Sequence, residues 1–227
     1  MIVETIKLYP EREDVTLTTY VLQDSPELLD GATRPAVLIC PGGAYLSCSD
    51  REAEPVAMRF AAMGYHAFVL RYSVYLDKHE PYESIFEGVE RREHTVFPAA
   101  IRDIGKAMLT IHKNSEAWLV DMDRIALCGF SAGGHLALSG AVWEIPGMAD
   151  QPRPNALLLA YPVVAAGEYA HRGSFVQLTG TQDIAAHQRF TLEDKITPAT
   201  PPVFVWHTME DETVPVENTL LLLSALH

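Results

Sequence analysis

The sequence predicts an α/β fold: a doubly wound, mostly parallel sheet opened by an antiparallel hairpin. Three observations carry this prediction. Short, nearly continuous apolar runs recur along the chain, helical patterns separate them, and two segments of alternating polarity precede them. Apolar runs of this kind are typical of strands buried on both faces, and their alternation with helices is typical of parallel βαβ units.

The elements follow in order along the chain. The segments IVETIKL and DVTLTTYVL, with the turn YPERED between them, predict the antiparallel hairpin. The parallel strands are predicted at AVLIC (36–40), HAFVLRY (66–72), RIALCGF (124–130), NALLLAY (155–161) and PVFVWH (202–207). The helical patterns cover 53–63, 96–111, 132–142 and 216–226. We expect a surface loop or partial lid over 73–95, and an irregular insertion over 166–202 with one short helical piece near Asp194.

Composition predicts one domain over residues 1–227. Of the 227 residues, 48% are hydrophobic and 21% charged, which allows a sizeable core. The formal net charge of −13 argues against a nucleic-acid partner, because that binding depends on clustered Lys and Arg. The N-terminal segment lacks the apolar core of a signal peptide, and no apolar run is long enough to span a membrane. We therefore expect a cytoplasmic protein with no membrane partner.

The three cysteines predict free thiols. Cys40, Cys48 and Cys128 cannot all pair with one another, and two of them lie inside apolar runs. Buried free cysteine is the ordinary outcome of that pattern. Their spacing offers no zinc site, so we expect no metal.

The stretch GFSAG (129–133) is the strongest motif, because it stands between a predicted buried strand and a predicted helix. A strand that turns at once into a helix strains the residue at the turn and leaves space only for small neighbours. Such a turn holds the Ser131 hydroxyl clear of the sheet, at the positive end of the helix. The pattern predicts a nucleophile, and tight helix–strand packing with an idle serine is the alternative.

A nucleophilic serine needs donors for the oxyanion that forms during attack. Residues 41–45, PGGAY, follow the first parallel strand, and we call them the glycine loop. Its two glycines free the backbone amides of Gly42, Gly43 and Ala44 to point at developing negative charge, and the amide of Ala132 would supply a further donor. A phosphate-binding loop is the competing interpretation, but the sequence has neither G-x-G-x-x-G nor a Walker lysine here.

The candidate acid follows the last predicted strand. HTMEDETVPVEN places Asp211 four residues beyond that strand, between Glu210 and Glu212. We prefer Asp211 because the D-x-x-V-P arrangement fixes the loop behind it. A solvated acidic turn is the alternative.

PGGAY, GFSAGGHLA and HTMEDETVPVEN together resemble the α/β-hydrolase fold, and within it the small carbohydrate-esterase and acetylxylan-esterase-like members of the lipase/esterase group. The resemblance spans about residues 35–226, with the motifs in the family's order. It implies the following roles: nucleophile Ser131, triad acid Asp211, and oxyanion donors Gly43, Ala44 and Ala132. It also implies hydrolysis of short-chain acyl or acetyl esters of carbohydrates through an acyl-serine intermediate, without a cofactor.

The sequence departs from the family pattern at two points. Pro41 stands where many relatives have a histidine. More seriously, the triad histidine of this fold follows the acid, and only His227 does so here. His227 ends a predicted helix that places it about 15 Å or more from that helix's start. His207 and His135 are nearer substitutes, and we expect both to be structural.

We therefore expect the natural protein to continue beyond residue 227 through one more strand, a histidine loop and a closing helix. The domain as given would then lack its last strand and helix, and we expect it to be weakly active at best, because losing a triad member costs several orders of magnitude in rate. An uncovered sheet edge favours self-association, so we expect a homo-oligomer.

Tyr45 and Tyr72, near strand ends, are candidate substrate-binding residues, with core packing as the alternative for each. The ligand we expect is a small-molecule ester. Two other functions stay open. One is a small serine peptidase, because amide and ester hydrolysis share this apparatus. The other is a non-catalytic binding protein with a degenerate triad.

Overall fold

The computed structural model describes residues 1–76, 93–148 and 151–227, and it contains a seven-stranded mixed sheet. Its strands are β1 Thr5–Lys7, β2 Thr16–Tyr20, β3 Arg34–Cys40, β4 His66–Arg71, β5 Val120–Phe130, β6 Ala156–Ala160 and β7 Val203–Trp206. Their order in the sheet is β1-β2-β4-β3-β5-β6-β7. β1 pairs with β2 and β2 with β4 in antiparallel fashion, and every other pairing is parallel. The predicted hairpin and mostly parallel sheet are confirmed.

The helices of the described residues are α1 Glu54–Ala62, α2 Ala99–Lys113, α3 Ser115–Trp118, α4 Ala132–Val142, α5 Arg172–Thr179, α6 Ile184–His187 and α7 Glu217–Leu226. Four of them coincide with predicted helical patterns, and α4 has the predicted bounds. The insertion 166–202 is more helical than expected: besides the 3₁₀ turn at Glu193–Lys195 it holds α5 and α6. Eight and four residues are too short to show a helical period in the sequence.

The central strands are buried on both faces, as their apolar runs predict. On β3, Leu38 packs into the larger core cluster, which also holds Ile104 of α2 and Leu136 of α4. Its neighbours Val37 and Ile39 belong to the second cluster, on the α1 side of the sheet. Because alternate residues of a strand point to opposite faces, a continuous apolar run fills both cores. The sheet therefore forms a rigid platform for the loops at its carboxyl ends.

Strand β7 differs from the prediction. Its run PVFVWH predicts burial on both faces, but Phe204 is 63% exposed and Trp206 is 55% exposed. β7 lies at the edge of the sheet, and only its other face, with Val203 and Val205, packs against the larger core cluster. The prediction of two-sided burial is wrong for this strand, because no described helix covers the face that carries Phe204.

Most of the loop predicted over 73–95 lies outside the described residues. The part that is described begins beside the glycine loop, since the Tyr75 amide donates to the Tyr45 carbonyl at 3.0 Å. The three cysteines are free, and Cys40 and Cys128 are buried, as predicted. In the part of the chain that the structure describes, no helix is long and apolar enough to cross a membrane.

Candidate active site

Ser131 is the single residue between β5 and α4, and its backbone is strained. β5 ends at Phe130, α4 begins at Ala132, and the serine has φ 51° and ψ −119°. Positive φ is costly for a residue with a side chain, by about 1–3 kcal/mol, and persists where the surroundings hold it. Here the Ser131 amide donates to the Ala160 carbonyl at 3.0 Å, while its own carbonyl accepts from Gly134 and Val163.

The turn is crowded, which explains the glycines around the serine. A Cβ atom on Gly129 would lie 2.3 Å from the carbonyl oxygen of Gly133. A Cβ atom on Gly133 would lie 2.1 Å from the Cys40 carbonyl oxygen and 2.4 Å from that of Pro41. Such distances are far below van der Waals contact. The glycines therefore allow β5, the first turn of α4 and the glycine loop to meet.

The glycine loop lies directly beside Ser131. A Cβ atom on Gly42 would be 3.1 Å from the Cβ atom of Ser131. The next three residues of the loop all have positive φ: 130° at Gly43, 58° at Ala44 and 57° at Tyr45. This conformation turns the loop sharply at the carboxyl end of β3.

The backbone amides of Gly43, Ala44 and Ala132 have no acceptor among the described residues, and the neighbouring amides of Tyr45 and Gly133 are open as well. The first three are those that the family resemblance implies as oxyanion donors. Unpaired amides are uncommon in folded proteins, and donors left open beside a nucleophile can stabilise negative charge on a bound ligand. The Gly42 amide, in contrast, is occupied by the carboxylate of Glu52 at 2.7 Å.

Backbone amides of the same loop hold the Asp211 side chain in place. Its Oδ1 accepts from the amides of Thr213 and Val214, both at 2.9 Å, and its side chain is 20% exposed. The flanking Glu210 and Glu212 are both exposed. Because β5, β6 and β7 run parallel, the Asp211 loop lies at the same edge of the sheet as Ser131. The geometry therefore favours Asp211 among the three acids.

His207 and His135 both form hydrogen bonds with groups other than Ser131. His207 donates from Nε2 to the Val214 carbonyl at 2.9 Å and accepts at Nδ1 from the Thr219 hydroxyl at 2.7 Å. Its Nε2 is also 3.6 Å from Asp211 Oδ2, so the ring supports the acid loop. His135 accepts from the Tyr45 hydroxyl at 2.8 Å and donates to the Phe190 carbonyl at 2.9 Å. Burial lowers the pKa of His135 to about 4.

No histidine of the described ranges is hydrogen-bonded to the Ser131 hydroxyl. His227 is exposed at the end of α7. His171, which sequence reasoning missed, lies within electrostatic reach of Asp211: burial lowers its pKa, and the Asp211 charge partly offsets that. Its Nδ1 accepts from Ser174, as the N-cap of α5. The expectation of a base beyond residue 227 concerns residues outside this sequence and stays a prediction.

Tyr45 and Tyr72 are buried, which is the position that the core-packing alternative predicts. Tyr45 is 4% exposed and Tyr72 is 1% exposed. The Tyr45 hydroxyl is bonded to His135, and that of Tyr72 donates to the Pro41 carbonyl at 2.6 Å. The rings meet edge to face, with centroids 5.9 Å apart. Through these contacts Tyr45 and Tyr72 anchor the glycine loop, and their assignment to substrate binding stays a prediction.

Sequence reasoning also missed Glu52 and Tyr161. Glu52 accepts from the Gly42 amide and, at 2.8 Å, from the Tyr161 hydroxyl. Burial raises the pKa of Tyr161, and the adjacent Glu52 carboxylate raises it further. Tyr161 directly follows β6, a position that could have marked it. Nothing in the sequence links Glu52 to the loop ten residues before it. Among the described residues, no three His, Cys, Asp or Glu side chains are grouped to hold a metal ion.

Comparison with known proteins gives a family match and several structural relatives. Residues 89–151 match the family model described as BD-FAE. MGS-M1, an α/β-hydrolase enzyme from a Medee basin deep-sea metagenome library, is 37% identical with a TM-score of 0.75; the match covers 100% of this chain and 76% of that one.

Two further solved structures are each 30% identical. One is an acetyl ester-xyloside bifunctional hydrolase from Caldicellulosiruptor lactoaceticus, with a TM-score of 0.79 and coverage of 98% of this chain and 80% of that one. The other is the carboxylesterase Cest-2923 from Lactobacillus plantarum WCFS1, with a TM-score of 0.78 and coverage of 100% and 78%. Endo-1,4-beta-xylanase B of Butyrivibrio fibrisolvens is 34% identical over 205 residues, which are 87% of this chain and 30% of that protein.

Proposed function

Because the chain belongs to the α/β-hydrolase family, we propose that it is a serine hydrolase that cleaves carboxylic esters through Ser131. One observation carries the proposal. A strained serine stands alone between β5 and α4, against a loop whose Gly43 and Ala44 amides, like the amide of Ala132, have no acceptor in the described structure. An idle serine would not require strain, crowding and open donors at one place.

In the proposed reaction, Ser131 Oγ attacks the ester carbonyl carbon while its proton passes to a base. The carbonyl electron pair moves to the oxygen, and the open amides donate to that oxyanion. Collapse of the intermediate breaks the ester bond and releases the alcohol, which takes up the proton. Water then hydrolyses the acyl-serine by the same route. One donor of this kind changes the rate by about 10²–10³-fold.

Asp211 is proposed to orient the base. Its Oδ1 is saturated by two backbone amides, which leaves Oδ2 as the oxygen that can accept from an imidazole N–H. None of the described histidines is hydrogen-bonded to both Ser131 and Asp211, so none of them is assigned as the base.

The names of two relatives support a carbohydrate ester as the substrate class. One relative hydrolyses an acetyl ester and a xyloside, and the other is a xylanase. We therefore propose short-chain acyl or acetyl esters of carbohydrates as substrates, in keeping with a small-molecule ligand.

Labelling by a fluorophosphonate tests the nucleophile. The full chain is incubated with the probe, and adducts are counted by intact mass and located by peptide mass spectrometry. We expect one adduct, on Ser131, that is lost in Ser131→Ala while the circular dichroism spectrum is unchanged. A folded wild-type chain that takes no adduct even at the highest imidazole concentration would contradict the proposal and favour the non-catalytic binding protein.

Hydrolysis of p-nitrophenyl acetate against an aminoacyl anilide tests the bond that is cleaved. We expect turnover of the ester only, above the Ser131→Ala background, and a preference for the anilide would favour the peptidase. Because no base is placed among the described residues, both assays are repeated with increasing imidazole. We expect the Ser131-dependent part of the rate to rise with imidazole, which acts as a base from solution.

A further inference from the structure

We propose that Glu52 is a positioning residue, whose carboxylate fixes the glycine loop so that its open amides face Ser131. This inference rests on the proposed function, since it concerns the same site. It assigns a task to a side chain that is neither nucleophile, acid nor oxyanion donor.

The carboxylate of Glu52 joins two strand ends. Its Oε2 accepts from the Gly42 amide at 2.7 Å, directly beyond β3, and its Oε1 accepts from the Tyr161 hydroxyl at 2.8 Å, directly beyond β6. The Tyr161 amide donates in turn to the Trp206 carbonyl of β7 at 2.7 Å. Through Tyr161, the Glu52 carboxylate therefore connects the glycine loop to the carboxyl ends of β6 and β7, which are neighbours in the sheet.

The bond to Gly42 sits next to the nucleophile. A Cβ atom on Gly42 would lie 2.8 Å from Glu52 Oε2 and 3.1 Å from Ser131 Cβ, so the carboxylate oxygen and the serine flank the same small space. Gly42 immediately precedes Gly43 and Ala44. A peptide unit fixed at Gly42 sets where the following two amides point, because only two dihedral angles per residue separate them.

The charge of Glu52 opposes the reaction, while its hydrogen bond favours it. A carboxylate near a developing oxyanion repels it, and donation from Tyr161 only disperses part of that charge. The benefit must therefore come from the acceptor atom. The positioning role and the effect of charge can therefore be tested separately. An uncharged acceptor of the same length should support the reaction of Ser131 as well as the carboxylate does, or better. A charged but shorter side chain should not.

Glu52→Gln and Glu52→Asp distinguish the position of the acceptor atom from the charge of the side chain. Glutamine keeps an oxygen for the Gly42 amide, can donate to the Tyr161 oxygen, and loses the charge. Aspartate keeps the charge and is one methylene too short to reach Gly42 and Tyr161 together. Glu54→Ala is the matched control, because it removes an exposed acidic residue two positions along the chain.

The measurement is the second-order rate constant for fluorophosphonate labelling of each full-length variant, with kcat and KM for p-nitrophenyl acetate beside it. We expect Glu52→Gln to label at the wild-type rate or faster, and Glu52→Asp to label about 10–100-fold more slowly, with the loss in kcat and little change in KM. Glu54→Ala should match the wild type. Thermal melts establish that each variant is folded.

The outcomes distinguish this inference from the proposed function. A wild-type chain that does not label with or without imidazole overturns the proposed function and the inference with it. If the wild type labels, a Glu52→Asp variant that labels equally fast overturns the positioning role alone. A Glu52→Gln variant that is as slow as Glu52→Asp also overturns it, because the charge would then be the required property. If Glu52→Asp does not fold, Glu52→Gln and Tyr161→Phe decide, and Tyr161→Phe is expected to lose about 2–5-fold.

Discussion

Gly133→Ala should destabilise the fold and impair the site together, because the glycine is where α4 touches the glycine loop. The added Cβ atom would lie 2.1 Å from the Cys40 carbonyl oxygen and 2.4 Å from that of Pro41. Both neighbours are backbone atoms of β3 and the loop, so neither can rotate away as a side chain would. Relief requires the helix or the loop to move by about 1 Å.

The expected cost follows from two opposing terms. Overpacking of a tight interior costs about 1–3 kcal/mol, occasionally more, and rigid backbone neighbours place this site at the upper end. Replacing glycine with alanine in a helix recovers at most about 1 kcal/mol. We expect a net loss of about 2–3 kcal/mol in the free energy of unfolding and a fall in Tm of about 5–10 °C. Labelling of Ser131 should slow by about 10-fold or more, because the displaced loop no longer aligns its amides.

Gly140→Ala on the same helix is the matched control. There the nearest atom is the Cδ1 tip of Ile104, at 3.0 Å, which a flexible side chain can withdraw. We expect its free energy of unfolding to stay within about 1 kcal/mol of the wild type. Urea unfolding of the two variants measures the difference. If Gly133→Ala is as stable and as reactive as Gly140→Ala, the close approach of loop and helix is refuted.

Three further predictions concern other parts of the site. Ser131→Gly should raise the free energy of unfolding by about 1 kcal/mol, because glycine adopts φ 51° without strain, whereas Ser131→Ala should leave it nearly unchanged; thermal melts compare the two. His207→Ala should lower it by about 2–4 kcal/mol in urea unfolding, because the Val214 carbonyl and the Thr219 hydroxyl lose their buried partner; a loss below about 1 kcal/mol would count against this role. Burial lowers the folded-state pKa of His135 to about 4, below its usual 6.5, so its contribution to stability is present above pH 6.5 and is lost as pH falls toward 4. Unfolding at pH 7 and pH 4.5 should show that loss as about 2–3 kcal/mol, and His135→Asn should remove that part of the pH dependence; an unchanged dependence in the variant would contradict the assignment.

The central strands of the sheet could be predicted because each of them needs apolar residues on both of its faces. Residues such as Val37 and Leu38 must be apolar to fill cores on opposite faces, so β3 is visible without any knowledge of its partners. The strand β7 shows the limit of that signal. Phe204 and Trp206 are as apolar as buried residues, and only the position of the strand in the sheet shows that they are exposed.

The site could be predicted where backbone strain requires particular residues. Glycines around Ser131 and in the glycine loop follow from crowding at one turn, which is a local property of the sequence. Glu52 acts through a contact with Gly42 that depends on how two loops fold back on each other, and Tyr45 is removed from the surface by its bond to His135, ninety residues away. Contacts between distant segments leave no periodic trace in one sequence.

A crystal structure of the phosphonylated protein would show whether the open amides face the nucleophile. We expect phosphorus bonded to Ser131 Oγ, with one phosphoryl oxygen about 2.7–3.1 Å from the amides of Ala132 and of Gly43 or Ala44. A phosphoryl oxygen that points to solvent, with those amides still open, would contradict this expectation.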